Sequence, residues 1–114
     1  MNFKISSEMF EKFPDLQIGL VVVKGINNEG ESKEVLELIH NKELEIKANF
    51  DKSKLSEEEK ISVWRKAYSS FGAKPKKYKC SVENLYRMIL DDISLKSINK
   101  IVDIYNFVSI KHCV

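Results

Sequence analysis

At 114 residues the chain has room for one domain with a modest core, and not for two. Its 43% hydrophobic and 32% charged residues, with four Gly and two Pro, exclude a disordered or fibrous polymer. Nineteen basic and 17 acidic side chains leave a charge of +2, too balanced for a surface that is basic all over, so any attraction for nucleic acid has to be local.

The opening MNFKISSEMF lacks the apolar run of a signal peptide, and no later apolar stretch approaches a membrane span. A cytoplasmic location with no membrane partner is therefore expected. Cys80 and Cys113 are isolated thiols without a C-x-x-C pair, so no metal site and no cofactor is expected.

In chain order, Ser6 or Ser7 predicts the cap of a short helix that Pro14 stops. LQIGLVVVKGI, residues 16 to 26, is rich in β-branched residues and ends at Gly, Asn, Asn, which predicts a strand buried on both faces. Phe3 to Ile5 and Leu44 to Ala48 are the candidates within the chain to pair with it. Val35, Leu38 and Ile39 predict a helix from about Ser32 to Lys47, with His40 near its C-terminal end. Ser56 and Glu59 have the spacing of a capping box, and Ile61, Trp64, Tyr68 and Phe71 follow as one apolar stripe closed by Gly72. After the loop AKPKKYKC, Ser81 opens a further helix carrying Val82, Leu85, Met88 and Ile89.

The run VDIYNFVSIKHCV closes the chain. As a helix it places Asn99, Asp103 and Asn106 within about 60° of one another and is apolar over most of the rest, so it would be buried nearly all round. As a strand it leaves Asn106 as the one polar residue on an apolar face, and periodicity does not decide between the two. A buried polar stripe demands hydrogen-bond partners, a ligand among them.

Lys74, Lys76, Lys77 and Lys79 surround Pro75 and Tyr78 in the loop. They read either as phosphate contacts with an aromatic ring for stacking, or as an ordinary solvated loop. Trp64, Tyr68 and Phe71 read first as core and second as a stacking platform. His112 and Cys113 are adjacent and diverge on any regular element, so they do not make a nucleophilic pair.

The segments FEKFPDLQIGLVVVKGINN, WRKAYSSFGAKPKKYKCSVENLYRMIL and INKIVDIYNFVSIKH together resemble the tRNA-binding and editing domain of the phenylalanyl-tRNA synthetase β subunit, most of all its free-standing relatives. The resemblance spans nearly the whole chain. It implies an α/β (α+β) fold of sheet layered on helices, with residues 1–114 as the N-terminal half of that domain and the second half missing. It implies tRNA as partner and hydrolysis of a wrongly attached amino acid as the activity. Asn106 and Tyr105 take the catalytic positions, Tyr105 standing where the synthetase has Thr, and Asp103 and Ser109 lie beside them for the substrate. Lys74, Lys76, Lys77, Tyr78 and Lys79 would hold the tRNA. With half of the family's pocket missing, little or no deacylation is expected from this chain alone. Two other expectations stand beside it: a binding module without catalysis, and self-association through the unpaired strand or the apolar C-terminal end.

Overall fold

A computed structural model describes all 114 residues. Five α-helices and one 3-10 helix follow one another: α1 (Ser7–Lys12), α2 (Lys33–Asn49), the 3-10 helix (Lys52–Glu57), α3 (Glu59–Ser70), α4 (Ser81–Leu90) and α5 (Lys100–His112). There is no β-strand, so the expected α/β fold is corrected to an all-helical one.

Three of the α-helices start at a side-chain cap. The Ser32 hydroxyl accepts from the Val35 N–H at the head of α2, and Asn99 accepts from Val102 N–H at the head of α5. At α3 the capping residue is Glu58, whose carboxylate accepts from the N–H groups of Lys60 and Ile61, in place of the expected Ser56. Ser56 belongs to the preceding 3-10 turn. Gly72, at φ +85°, follows the last turn of α3 as the sequence predicts, since a left-handed residue there costs glycine nothing. Because α2 runs on to Asn49, His40 sits in mid-helix and away from the C-terminal dipole.

The expected strand is absent, and its residues are unpaired. From Gln17 to Glu31 no backbone group bonds to another backbone group, and Ile18, Leu20, Val21, Val22 and Val23 are all exposed. Neither proposed partner is available: Phe3 to Ile5 lies outside any element, and Leu44 to Ala48 is locked into α2. Two side-chain contacts tether the ends of this segment's neighbourhood. Lys12 Nζ donates to the Ser70 carbonyl at 2.9 Å, and the Asn28 side chain accepts from Ile101 N–H at 2.8 Å.

The core lies where α2, α4 and α5 pack together over the 3-10 helix. Ile39, Ile46, Leu55, Ile61, Val82, Tyr86, Ile89 and Ile110 are its largest members. Phe50 meets Tyr86 edge to face at 5.1 Å, and the Tyr86 hydroxyl donates to the Ile110 carbonyl at 2.7 Å. Burial pushes that phenol far above its ordinary range, so it stays a donor. The body is thin, 43 × 42 × 20 Å, and 13 residues are buried. Its radius of gyration, 16.1 Å, exceeds the value of about 13 Å for a compact domain of this length. The remaining stability has to come from polar contacts between elements.

The strongest of these is Glu83, fully buried on α4. Its carboxylate accepts from Arg65 of α3 at 3.0 and 2.6 Å and from Arg87 of its own helix at 2.9 Å. Burial alone would raise the Glu83 pKa, but the two guanidiniums outweigh it and hold the carboxyl below the usual range. A depressed folded pKa contributes stability above the unfolded pKa, near 4.3, and that contribution is lost as pH falls through the lower folded value. Urea denaturation followed by circular dichroism is therefore expected to give steady stability from neutral pH to about pH 5 and a decline below about pH 4. Glu83→Ala is expected to cost about 2–3 kcal/mol at pH 7, less than a wholly buried pair because both guanidiniums keep some contact with water, and to flatten the acid decline.

Candidate nucleic-acid interface

The loop between α3 and α4 is short and internally braced. Ala73 N–H donates to the Tyr68 carbonyl at 3.0 Å, and Lys77 and Tyr78 N–H both donate to the Lys74 carbonyl, at 2.9 and 2.8 Å. Pro75 sits at the second position of that turn, where its fixed φ suits the geometry and its missing N–H is not needed. Lys79 Nζ closes the loop by donating to the Lys76 carbonyl at 2.7 Å. Cys80, buried, ends it against the core.

This bracing leaves the charges outward. Lys74, Lys76 and Lys77 are exposed and Lys79 is half-buried. Lys77 Nζ stands 5.2 Å from the centre of the Tyr78 ring, which is 52% exposed. A shallow depression lined by Ser69, Gly72, Ala73, Lys74, Pro75 and Lys76 lies at the foot of α3. No carboxylate is among these residues, and Lys74 and Lys76 give the depression its charge.

The aromatic stripe of α3 runs into the same loop. Trp64 meets Tyr68 edge to face at 6.4 Å, and Tyr68 meets Phe71 at 5.4 Å. The first reading of these rings as core is corrected: Trp64 is 46% and Phe71 52% exposed, and only Tyr68 packs against the core. The buried face of α3 is set by Ile61 and by Arg65 reaching to Glu83. Arg65 is thereby unavailable to an outside phosphate.

The residues assigned to ester hydrolysis do not form a site. Asp103 is buried, with one oxygen accepting from Ser97 Oγ at 2.5 Å and the other from Ile98 N–H at 3.0 Å. It fastens the segment entering α5 and presents no free oxygen to a substrate. Ser109 donates to the Val114 carbonyl. Asn106 is half-buried, and Tyr105 lies on the outer face with 56% of its surface in solvent. The cleft that Ser97 lines is walled by His40, Glu43, Leu95 and neighbours, and by none of these four. α5 is also not buried all round: Ile101, Ile104, Tyr105 and Val108 form an exposed apolar face.

Other polar groups have structural partners as well. Glu43, buried in α2, accepts from Leu95 N–H at 2.8 Å. Cys113 caps α5 in a left-handed conformation, and burial, helped by nearby Glu58, pushes its thiol up to about 11. Cys80 is raised by burial too, so both thiols stay protonated and unreactive in the fold. His112 offers its carbonyl, and not its ring, to Lys60 Nζ. No group of three or more His, Cys, Asp or Glu is placed to hold a metal ion. No helix is long and apolar enough to cross a membrane.

No protein-family model, curated protein or solved structure was found to match the chain.

The sequence missed the linking role of Glu83, Glu43 and Asn28. A Glu four residues before an Arg, as in Glu83 and Arg87, is a legible signal, but its third partner Arg65 lies on another helix. Asp103→Ala is expected to cost about 2–3 kcal/mol in urea unfolding, because two hydrogen bonds to a buried carboxylate are lost together. Asp103→Asn keeps the acceptor for Ile98 and is expected to cost about half as much. Unchanged stability in the alanine variant would return Asp103 to a ligand-binding role.

Proposed function

We propose that the chain is a non-catalytic nucleic-acid-binding module whose partner is tRNA, met in the cytoplasm. The observation that carries this reading is the braced loop, where Lys74, Lys76 and Lys77 point outward beside Tyr78 with no carboxylate among the lining residues. Bracing matters because a loop that is already ordered loses little entropy when it meets a phosphate backbone. The resemblance to the phenylalanyl-tRNA synthetase β-subunit domain supports tRNA over other nucleic acids. The deacylase that the same resemblance implies is the less favoured reading, since Asp103 and Ser109 are occupied by internal bonds and Tyr105 lies on the outer face of α5, turned from the buried Asp103.

The test is binding of tRNA by fluorescence anisotropy across a salt series. Log affinity is expected to fall steeply with log salt, and replacing Lys74, Lys76, Lys77 and Lys79 by alanine is expected to weaken binding and shallow the slope by about 3. Unchanged binding in the four-lysine variant would refute the loop assignment. Tyrosine attached to phenylalanine tRNA is expected to survive incubation with the chain at its spontaneous rate of loss, and rapid release would overturn the non-catalytic assignment.

A second property is favoured by the unpaired segment. We infer that two copies associate through residues 16 to 23, a mostly apolar and exposed run whose backbone groups from Gln17 onward bond to no other backbone group. Asp15 and Lys24 are the charges that flank the run, and antiparallel pairing sets the acidic end of each copy against the basic end of the other. Sedimentation equilibrium is expected to show a dimer at micromolar concentrations, and Val21→Lys, at a site 86% exposed, to restore the monomer without lowering the melting temperature. A monomer at every concentration in the unmodified chain would exclude the association.

A further inference from the structure

The aromatic stripe of α3 leads along the chain directly into the lysine loop, and the depression at the foot of α3 joins Ser69 of that helix to Lys74 and Lys76. Trp64, Tyr68 and Phe71 follow each other at spacings of four and three residues, and Gly72 turns the chain from Phe71 straight into the lysines. At 1.5 Å of rise per residue the stripe from Trp64 to Phe71 is about 10 Å long, room for two or three bases stacked at roughly 3.4 Å. Two of these rings, Trp64 and Phe71, stand half in water and leave apolar area that the core does not use. The charge beside them decides the occupant: an apolar peptide would gain nothing from the three outward lysines, whereas a nucleic-acid strand offers bases to the rings and phosphates to the ammonium groups.

We propose that this surface binds single-stranded nucleic acid, with bases stacked on Trp64 and Phe71, continued by Tyr78, and phosphates held by Lys74, Lys76 and Lys77. The inference rests on the nucleic-acid reading above and narrows it to unpaired strands. In a duplex the base faces are closed, so only the lysines would be engaged. In tRNA the stretch recognised is then an unpaired end or loop. Tyr78 belongs to the surface because Lys77 over its ring fixes its orientation while leaving half of it open. Arg65 is excluded, since its guanidinium is held by Glu83.

Trp64 is the chain's one tryptophan and therefore reports on its own contact. The experiment titrates the full chain with a 12-nucleotide single-stranded RNA, the matching duplex and whole tRNA while following intrinsic fluorescence. Single-stranded RNA is expected to quench Trp64 by about half, to compete with tRNA and to bind at least tenfold more tightly than the duplex. Phe71→Ala, which keeps the reporter, is expected to weaken single-strand binding about tenfold with the salt slope unchanged, while the lysine variant changes the slope. Trp64→Phe, read by anisotropy, keeps a ring and is expected to retain most of the affinity, which separates loss of stacking from loss of folding. Lysine-dependent tRNA binding with no change in Trp64 fluorescence, or with duplex and single strand bound equally, would overturn stacking and leave the nucleic-acid reading standing. Absence of binding to every RNA would remove both, as would salt-independent quenching by an apolar peptide alone.

Discussion

The buried carboxylate of Glu83 is the constraint on which the arrangement of this molecule depends. α3 contributes one well-buried side chain to the core, Ile61, and is otherwise attached through its polar groups. Arg65 from α3 and Arg87 from α4 converge on Glu83, which is screened from water on every side. A buried carboxylate with one guanidinium removed would be left short of compensation, so the chain cannot let α3 swing away from α4 without a large penalty. The loop from Phe71 to Cys80 joins the two helices, and its shape follows from that fixed separation. The ion pair thus does more than add stability: it sets the platform on which the aromatic rings and the lysines stand.

The same logic recurs at smaller scale. In a thin body with few buried residues, polar side chains act as fasteners, some between segments far apart in sequence and some within a turn or two. Glu43 holds Leu95, Asn28 holds Ile101, and Asp103 holds Ser97 and Ile98. Ile101, in the first turn of α5, thereby finds an acceptor that its own helix cannot supply, and Leu95 and Ile98, in the segment that leads into it, find theirs in Glu43 and Asp103. These are the residue types that a search for reactive groups would select, and here their reactivity is consumed by the fold. The polar stripe of α5 is the clearest case. Asp103 finds its partners in a hydroxyl and a backbone group of the chain itself, and Asn99 in the Val102 N–H.

Much of the helical order could be read from the sequence because caps and stop signals are local: Ser32, Asn99, Gly72 and Pro14 act within a turn of themselves. Register around a helix was less legible. Taking 100° per residue from Ile61, Tyr68 lies about 20° to one side, while Trp64 and Phe71 lie about 60° and 80° to that side. Arg65 lies about 40° to the other. A single apolar stripe therefore conceals two faces, and the ion pair with Glu83 turns the helix so that Ile61, Arg65 and Tyr68 face inward. Nothing in α3 alone reveals this, because the partner that decides it is 18 residues further on. For α5 the same counting puts Asp103, Asn106, Phe107 and Ile110 inward and leaves Ile104, Tyr105 and Val108 outside, although hydrophobicity alone favours the reverse.

The strand failed for a different reason. A helix satisfies its own backbone, so local pattern suffices to form it, whereas a strand is defined by its neighbour. Residues 16 to 23 have the composition of a strand, and lack the hydrogen-bonding partner that would make them one. α2 removes the one alternating segment inside the chain that had been a candidate, since helical caps at Ser32 and a buried Ile39, Glu43 and Ile46 on one face outweigh five residues of alternation. Polarity therefore divides the exposed apolar surface into two kinds. The exposed rings of Trp64 and Phe71 precede a loop of lysines along the chain, which suits a charged, stackable ligand, while residues 16 to 23 carry no charge and leave backbone unpaired, which suits another polypeptide segment. The two surfaces call for different partners because the chemistry at their edges differs, even though their apolar centres are alike.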